Sequence, residues 1–244
     1  MQIPGLPSLL FLFYLLIVLP WMAFKSHQKM DLQSERNVNR FSNEQLEKIW
    51  ISTLFNFSLM FALSWAAGSG FGFRIFALPD LSAQVVLAAI SVLLLCLLIR
   101  MIARRTRSLS ERKKLVVYAL SPRTRRQWIL KSLVVVSASV AEETAYRGVA
   151  WQLLSYITGQ HLLASIISSV AFAFAHWVQG WVSMLIIFIV AVLMHGLVQY
   201  SSSLIPAMLV HGIYDFIAIF LISREASRYR QANSSVDSVQ SPQE

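Results

Sequence analysis

Long apolar runs separated by short polar stretches dominate the chain. Seven runs stand out: Leu6–Phe24, Ile51–Phe71, Ser82–Ile102, Ile129–Ile157, Leu162–Val178, Trp181–Tyr200 and Leu204–Ser223. Most come close to the roughly 20 residues that a helix needs to cross a bilayer core of about 30 Å. A backbone in lipid must satisfy its own hydrogen bonds, and the runs lack the alternation of barrel strands. The pattern therefore predicts an all-α, polytopic transmembrane helix bundle of about seven spans.

Composition agrees with a membrane protein. Of the 244 residues, 56% are hydrophobic and only 14% are charged, whereas soluble domains average about 25% charged residues. Cys96 is the only cysteine, which excludes an intrachain disulfide and a site built from several thiolates.

The basic residues give the chain a formal net charge of +9, and they are concentrated between the apolar runs. The polar stretches Lys25–Lys48 and Ala103–Gln127 hold most of them, so membrane topology explains the charge better than nucleic-acid binding does. With seven spans, the basic stretches fall on one side of the membrane. The positive-inside rule then predicts an N-terminus outside and a C-terminus in the cytoplasm. The expected location is the bacterial cytoplasmic membrane, as a multi-pass protein surrounded by lipid.

The same pattern predicts three regions. Residues 1–128 hold N-terminal transmembrane segments with a basic cytoplasmic loop, and residues 129–223 hold a helical core. Residues 224–244 have few apolar groups and are predicted to form a disordered cytoplasmic tail.

Ionisable residues inside apolar runs are costly and suggest function. The first three runs contain none well inside, whereas the last four contain Glu142, Glu143, Arg147, His176, His195, His211 and Asp215. Glu143 and Arg147 are four residues apart on a helix and can pair. That pairing leaves Glu142 as the candidate general base.

Two further segments supply candidate partners for Glu142. Phe172 and His176 share a helix face, as do His211 and Asp215. Each pair alone is equally well explained by structural hydrogen bonding. Glu and His side chains from three helices that face one interior are what hydrolysis requires, namely a base for water and groups to stabilise an oxyanion. His195 is interpreted as structural.

The depths of these residues can be estimated from helix geometry. With a rise of 1.5 Å per residue, Glu142 lies about 15 Å and His211 about 17 Å above the cytoplasmic edge. His176 agrees with that depth only if its helix continues past Val178 toward Trp181. The candidate site is predicted to open to the cytoplasmic side.

The three motifs also carry a family resemblance. Glu142-Glu143-x-x-x-Arg147, Phe172-x-x-x-His176 and His211-x-x-x-Asp215 resemble the motifs of the CAAX protease and bacteriocin-processing (CPBP) family. That family includes type 2 CAAX prenyl endoproteases and bacterial Abi proteins. The stretch Tyr200–Pro206 also resembles the turn into the family's last motif helix. The resemblance covers about Ile129–Ser223 and implies that residues 129–223 form a catalytic helical core similar to that of the CPBP family.

This resemblance implies an intramembrane endopeptidase that acts on membrane-associated peptides or proteins, either in CAAX-type or in bacteriocin and peptide processing. It implies that Glu142 activates water and that His176 and His211 complete the site. The last motif position is commonly Asn in the family and is Asp215 here. An ionised Asp cannot donate to an oxyanion, so Asp215 could be protonated, orient His211 or help to bind a metal.

Two mechanisms remain open at this point. In one, His176, His211 and Glu142 bind zinc or another divalent metal. In the other, which needs no metal, Glu142 activates water and the histidines stabilise the tetrahedral intermediate. Two other functions are alternatives: a proton- or ion-coupled transporter, and a catalytically idle immunity or scaffold protein.

Overall fold

The computed structural model describes residues 4–32, 40–69, 77–79, 82–106 and 116–240. These residues form eight helices and no strand. Helix α1 comprises Leu6–Phe13, a π-helical turn at Tyr14–Val18, and Leu19–Leu32. The next helices are α2 (Asn43–Ser69), α3 (Ala83–Thr106) and the single turn α4 (Val116–Ala119).

The remaining helices contain the predicted core. Helix α5 comprises Arg125–Glu142, a π-helical segment at Glu143–Ala150, and Trp151–Thr158. It is followed by α6 (His161–Ala175), a 3₁₀ turn at Trp177–Gln179, α7 (Trp181–Ser201) and α8 (Ile205–Gln240). The all-α membrane bundle predicted from the sequence is therefore confirmed.

Five of these helices are long and apolar enough to cross a membrane. The qualifying stretches are Leu6–Ser26, Asn43–Ser69, Ala83–Thr106, Trp181–Ser201 and Ile205–Gln231. The two other predicted spans correspond to α5 and α6. Helix α5 has polar and charged residues at its centre, where the π-helical segment is buried by neighbouring helices instead of facing lipid. Helix α6 has 15 residues, about 22 Å at 1.5 Å per residue, which is shorter than the bilayer core.

Polar contacts join several helix ends into one basic end of the bundle. Glu47 at the start of α2 pairs with Arg126 at the start of α5, at 3.3 Å. Arg104 at the end of α3 pairs with Glu225 of α8 at 3.2 Å. The sequence prediction that the basic stretches lie on one side therefore fits the helix packing, while the orientation of that side toward the cytoplasm stays a prediction.

Helix α8 corrects the predicted start of the disordered tail. It continues without a break through residue 224 and ends at Gln240. Ala226 and Tyr229 are buried there, and the Tyr118 hydroxyl of α4 donates to Glu225 at 2.9 Å. The few apolar groups after residue 223 suffice because they pack on α4, a partner that composition alone does not reveal.

Helix α6 also corrects the condition placed on His176. The helix does not continue past Val178 but ends at Ala175. The chain then reverses through the 3₁₀ turn to Gly180, whose φ of 90° lies in a region that L side chains rarely adopt. Because α6 is short, its C-terminal end stops beside the middle of α5 and brings His176 to the depth of Glu142.

Candidate active site

The π-helical segment of α5 is the foundation of the site. Glu143–Ala150 is buried throughout, and it begins where the helix presents its two adjacent carboxylates. A π-helical turn widens the helix locally and is often found at functional sites. The sequence predicted a regular α-helix here and gave no sign of the π-helical segment.

Glu142 faces two imidazoles from different helices. One carboxylate oxygen lies 4.0 Å from Nε2 of His176 on α6, and the other lies 3.7 Å from Nε2 of His211 on α8. These distances exceed a direct hydrogen bond. The carboxylate oxygens and both Nε2 atoms therefore border a common space in which a small polar reactant could bind.

Each histidine is held in place through its other ring nitrogen. His176 Nδ1 lies 2.8 Å from the Phe172 carbonyl, one turn earlier in α6. His211 Nδ1 lies 2.8 Å from Oε1 of Glu143. Both acceptors favour a proton on Nδ1, and such contacts fix the ring so that Nε2 faces the site.

Glu143 thus contacts two functional side chains. The same Oε1 lies 3.2 Å from NH1 of Arg147, and both side chains are almost completely buried. The guanidinium also lies over the ring of Phe172, 4.3 Å from its centroid. Arg147 and Glu143 therefore tie α5 to both α6 and α8.

Asp215 has a different position from the one expected for a residue that orients His211. Its Oδ2 lies 3.7 Å from Nε2 of His211, on the side of Glu142, and it is partly exposed. The hydrogen bond that orients His211 comes from Glu143 instead. His195 is buried with no hydrogen bond to its Nε2 among the described residues, and it is close enough to Arg147 and Glu143 to interact electrostatically.

A cavity of about 340 Å³ connects this cluster with the basic end of the bundle. Its walls come from helices α2 to α8, and they include Phe57, Val135, Ile187 and Ile222. Ser121, next to α4, lines its outer part. The cavity therefore extends from the cluster toward the basic end, and its opening to the cytoplasmic side stays a prediction.

Two basic side chains that line this cavity were not among the residues expected at the site. They are Arg100 of α3 and Lys131 of α5. A signal for Lys131 was present, since Lys131, Val135, Ala138 and Glu142 follow the spacing of one helix face. Arg100 had no comparable signal, because it looked like the charged end of an ordinary span.

The fold and the site define a polytopic helical membrane protein with a buried Glu–His cluster, an arrangement suited to activating water. Residues 124–217 match the model of the family described as type II CAAX prenyl endopeptidase Rce1-like. The matched segment covers 94 of the 244 residues and supports the resemblance drawn from the three motifs. No significant match was found among curated proteins or solved structures.

Proposed function

We propose that the chain is an intramembrane endopeptidase in which Glu142 activates the water that attacks the peptide bond. One observation carries the proposal: one oxygen of the Glu142 carboxylate lies 4.0 Å from Nε2 of His176, and the other lies 3.7 Å from Nε2 of His211. The family match supports a CAAX-type endopeptidase in general. The substrates would be membrane-associated peptides or proteins.

In this mechanism, Glu142 takes a proton from water as the water oxygen attacks the scissile carbonyl. The negative charge that develops on the carbonyl oxygen accepts a hydrogen bond from Nε2–H of His211, whose Nδ1–H donates to Glu143. Glu142 then passes its proton to the departing amine. As the oxyanion re-forms a carbonyl, the carbon–nitrogen bond breaks, which gives a carboxylic acid and a free amine and leaves Glu142 as a carboxylate again.

Arg147 has a supporting role in this mechanism, whereas His176 contacts the reacting water. Arg147 balances the buried Glu143 carboxylate, so that Glu143 can hold His211 without drawing it away from the site. His176 presents Nε2 to the attacking water beside the Glu142 oxygen that does not face His211. The three motifs then act as one unit, and loss of any of them should impair the same step.

A zinc-dependent mechanism would need three protein ligands at about 2.0–2.2 Å from the ion. Within the described ranges, no three His, Cys, Asp or Glu side chains are arranged as such a set. The mechanism described above has no step that needs a metal. His176, His211 and Glu142 remain the ligands predicted for that alternative, which chelation tests.

The decisive experiment is cleavage by the purified chain in lipid nanodiscs. The substrates are internally quenched peptides, each prepared with and without a prenyl group. Glu142→Gln keeps the size of the side chain but removes the base, and should lower kcat/KM by about 10²- to 10⁴-fold. Glu44→Gln is the matched control, because Glu44 lies in an exposed pair with Lys48. Equal rates for Glu142→Gln and wild type would contradict the mechanism and favour a structural or ion-coupling role for the carboxylates.

A further inference from the structure

The charge of the cavity lining changes sign between its inner and outer parts. Glu142 and Asp215 lie at the inner, catalytic part, whereas Arg100 and Lys131 lie nearer the basic end. Lys131 precedes Glu142 by 11 residues on α5, about 16 Å along the helix. Arg100 contacts α8 at Ala218, seven residues and about 10 Å beyond His211. The cavity walls also include apolar side chains such as Val135 and Ile187.

Lys131 lacks a close partner. Its ammonium makes no hydrogen bond and no ion pair with any residue in the described part of the chain, and the acid that acts on it electrostatically is Asp215. A cation in such surroundings is costly unless a counter-charge reaches it. Since Lys131 lines the cavity, a bound ligand could supply that charge.

Arg100 is anchored on one side and open on the other. Its NH2 donates to the Ala218 carbonyl at 3.3 Å, and the guanidinium is close enough to Tyr214 to interact electrostatically. A guanidinium carries five N–H donors, so further donors can serve a ligand in the cavity. Arg100 belongs to α3, outside the segment that matches the family model.

We propose that Lys131 and Arg100 bind a carboxylate of the substrate and so determine its specificity. The proposal rests on the proposed peptidase function and identifies the chemistry of the substrate. A carboxylate that reaches Arg100 lies about 10 Å from the scissile bond at Glu142 and His211. It could belong to an acidic side chain or to a free C-terminus, since both offer the same two oxygens to the cations.

Binding should be measured on the full chain carrying Glu142→Gln, which does not consume the peptide. The probes are fluorescent peptides in matched pairs: Glu against Gln at each position, and a C-terminal acid against a C-terminal amide. The preferred acid should bind about tenfold or more tightly than its amide, the range expected for hydrogen bonds to charged groups. The matched peptide pair whose two members bind with different affinities shows whether the carboxylate comes from a side chain or from the C-terminus.

Substitutions in the chain then show which residues cause the preference for the acid peptide over its amide. Lys131→Met should remove most of it, Lys131→Arg should keep it, and Lys131→Glu should favour peptides with Lys in place of Glu. Arg100→Met should also reduce it. Lys48→Met is the matched control, because Lys48 lies on the surface in a pair with Glu44 at 2.6 Å. Retained discrimination in Lys131→Arg shows that a loss in Lys131→Met comes from the charge and not from misfolding.

Several outcomes would overturn the proposal. They are equal binding of acid and amide peptides, binding of neither, or unchanged discrimination in both Lys131→Met and Arg100→Met. Equal binding would mean that Lys131 only extends along the apolar wall toward water. In the active chain, cleavage without discrimination counts against this proposal alone, whereas absence of cleavage counts against the peptidase function.

Discussion

Removal of Arg147 should destabilise the bundle strongly. The Arg147 and Glu143 side chains are 1% and 0% exposed, with 3.2 Å between NH1 and Oε1. Arg147→Met keeps much of the side-chain volume but leaves Glu143 buried with His211 as its remaining ionic partner. Breaking a buried pair typically costs about 3–5 kcal/mol. Because the contact between the guanidinium and the Phe172 ring is lost as well, we expect a decrease of at least about 3 kcal/mol.

Equilibrium unfolding of purified protein in mixed detergent micelles would measure this free energy. Arg126→Met is the matched control, since Arg126 pairs with Glu47 while its own side chain is 74% exposed. Exposed pairs contribute about 0–1 kcal/mol. The double variant Glu143→Gln/Arg147→Met should lose less than the sum of the single variants, because no charge is then left unpaired. If Arg147→Met unfolds no more easily than Arg126→Met, the ion pair is not a structural link between α5 and its neighbours.

Three other predictions address the mechanism and the topology. Asp215→Asn should preserve or raise kcat/KM, because the amide could donate to the oxyanion while the ionised carboxylate cannot; a joint loss of activity and metal affinity would instead identify Asp215 as a ligand. Dialysis against a chelator should leave peptide cleavage unchanged, and a loss restored by zinc would refute the metal-free mechanism. Reporter fusions at Ser121 and Ser234 should both report the cytoplasm, and opposite results would refute the predicted topology.

The sequence was sufficient to predict that three motifs meet in one place. Intramembrane Glu and His residues have few inexpensive environments other than a shared interior, so Glu142, His176 and His211 could be grouped before any coordinates. Pairing at a spacing of four also predicted the contact between Glu143 and Arg147. These inferences succeeded because they depend on helix periodicity and on the cost of burying charge, both of which are local properties.

Other features depend on tertiary contacts and could not be predicted in this way. The apolar run to Val178 gives no sign that α6 ends at Ala175, since Gly180 reverses the chain only in the context of the packed bundle. The hydrogen bond from His211 to Glu143 instead of to Asp215 depends on the position of α8 against the π-helical segment. Periodicity shows which residues share a helix face, but not which facing residue on the next helix they contact.

The short α6 offers a physical explanation for hydrolysis inside a membrane. A peptide bond and a water molecule must both reach a carboxylate that lipid would otherwise exclude from water. Because α6 ends at the depth of Glu142, it cannot fill the region between that depth and the basic end of the bundle, where the cavity is found. The helix end that places His176 in the site therefore also leaves room for water to approach from the basic end. Extending α6 by a turn would be expected to displace His176 and close this route together, so catalytic geometry and water access depend on the same structural feature.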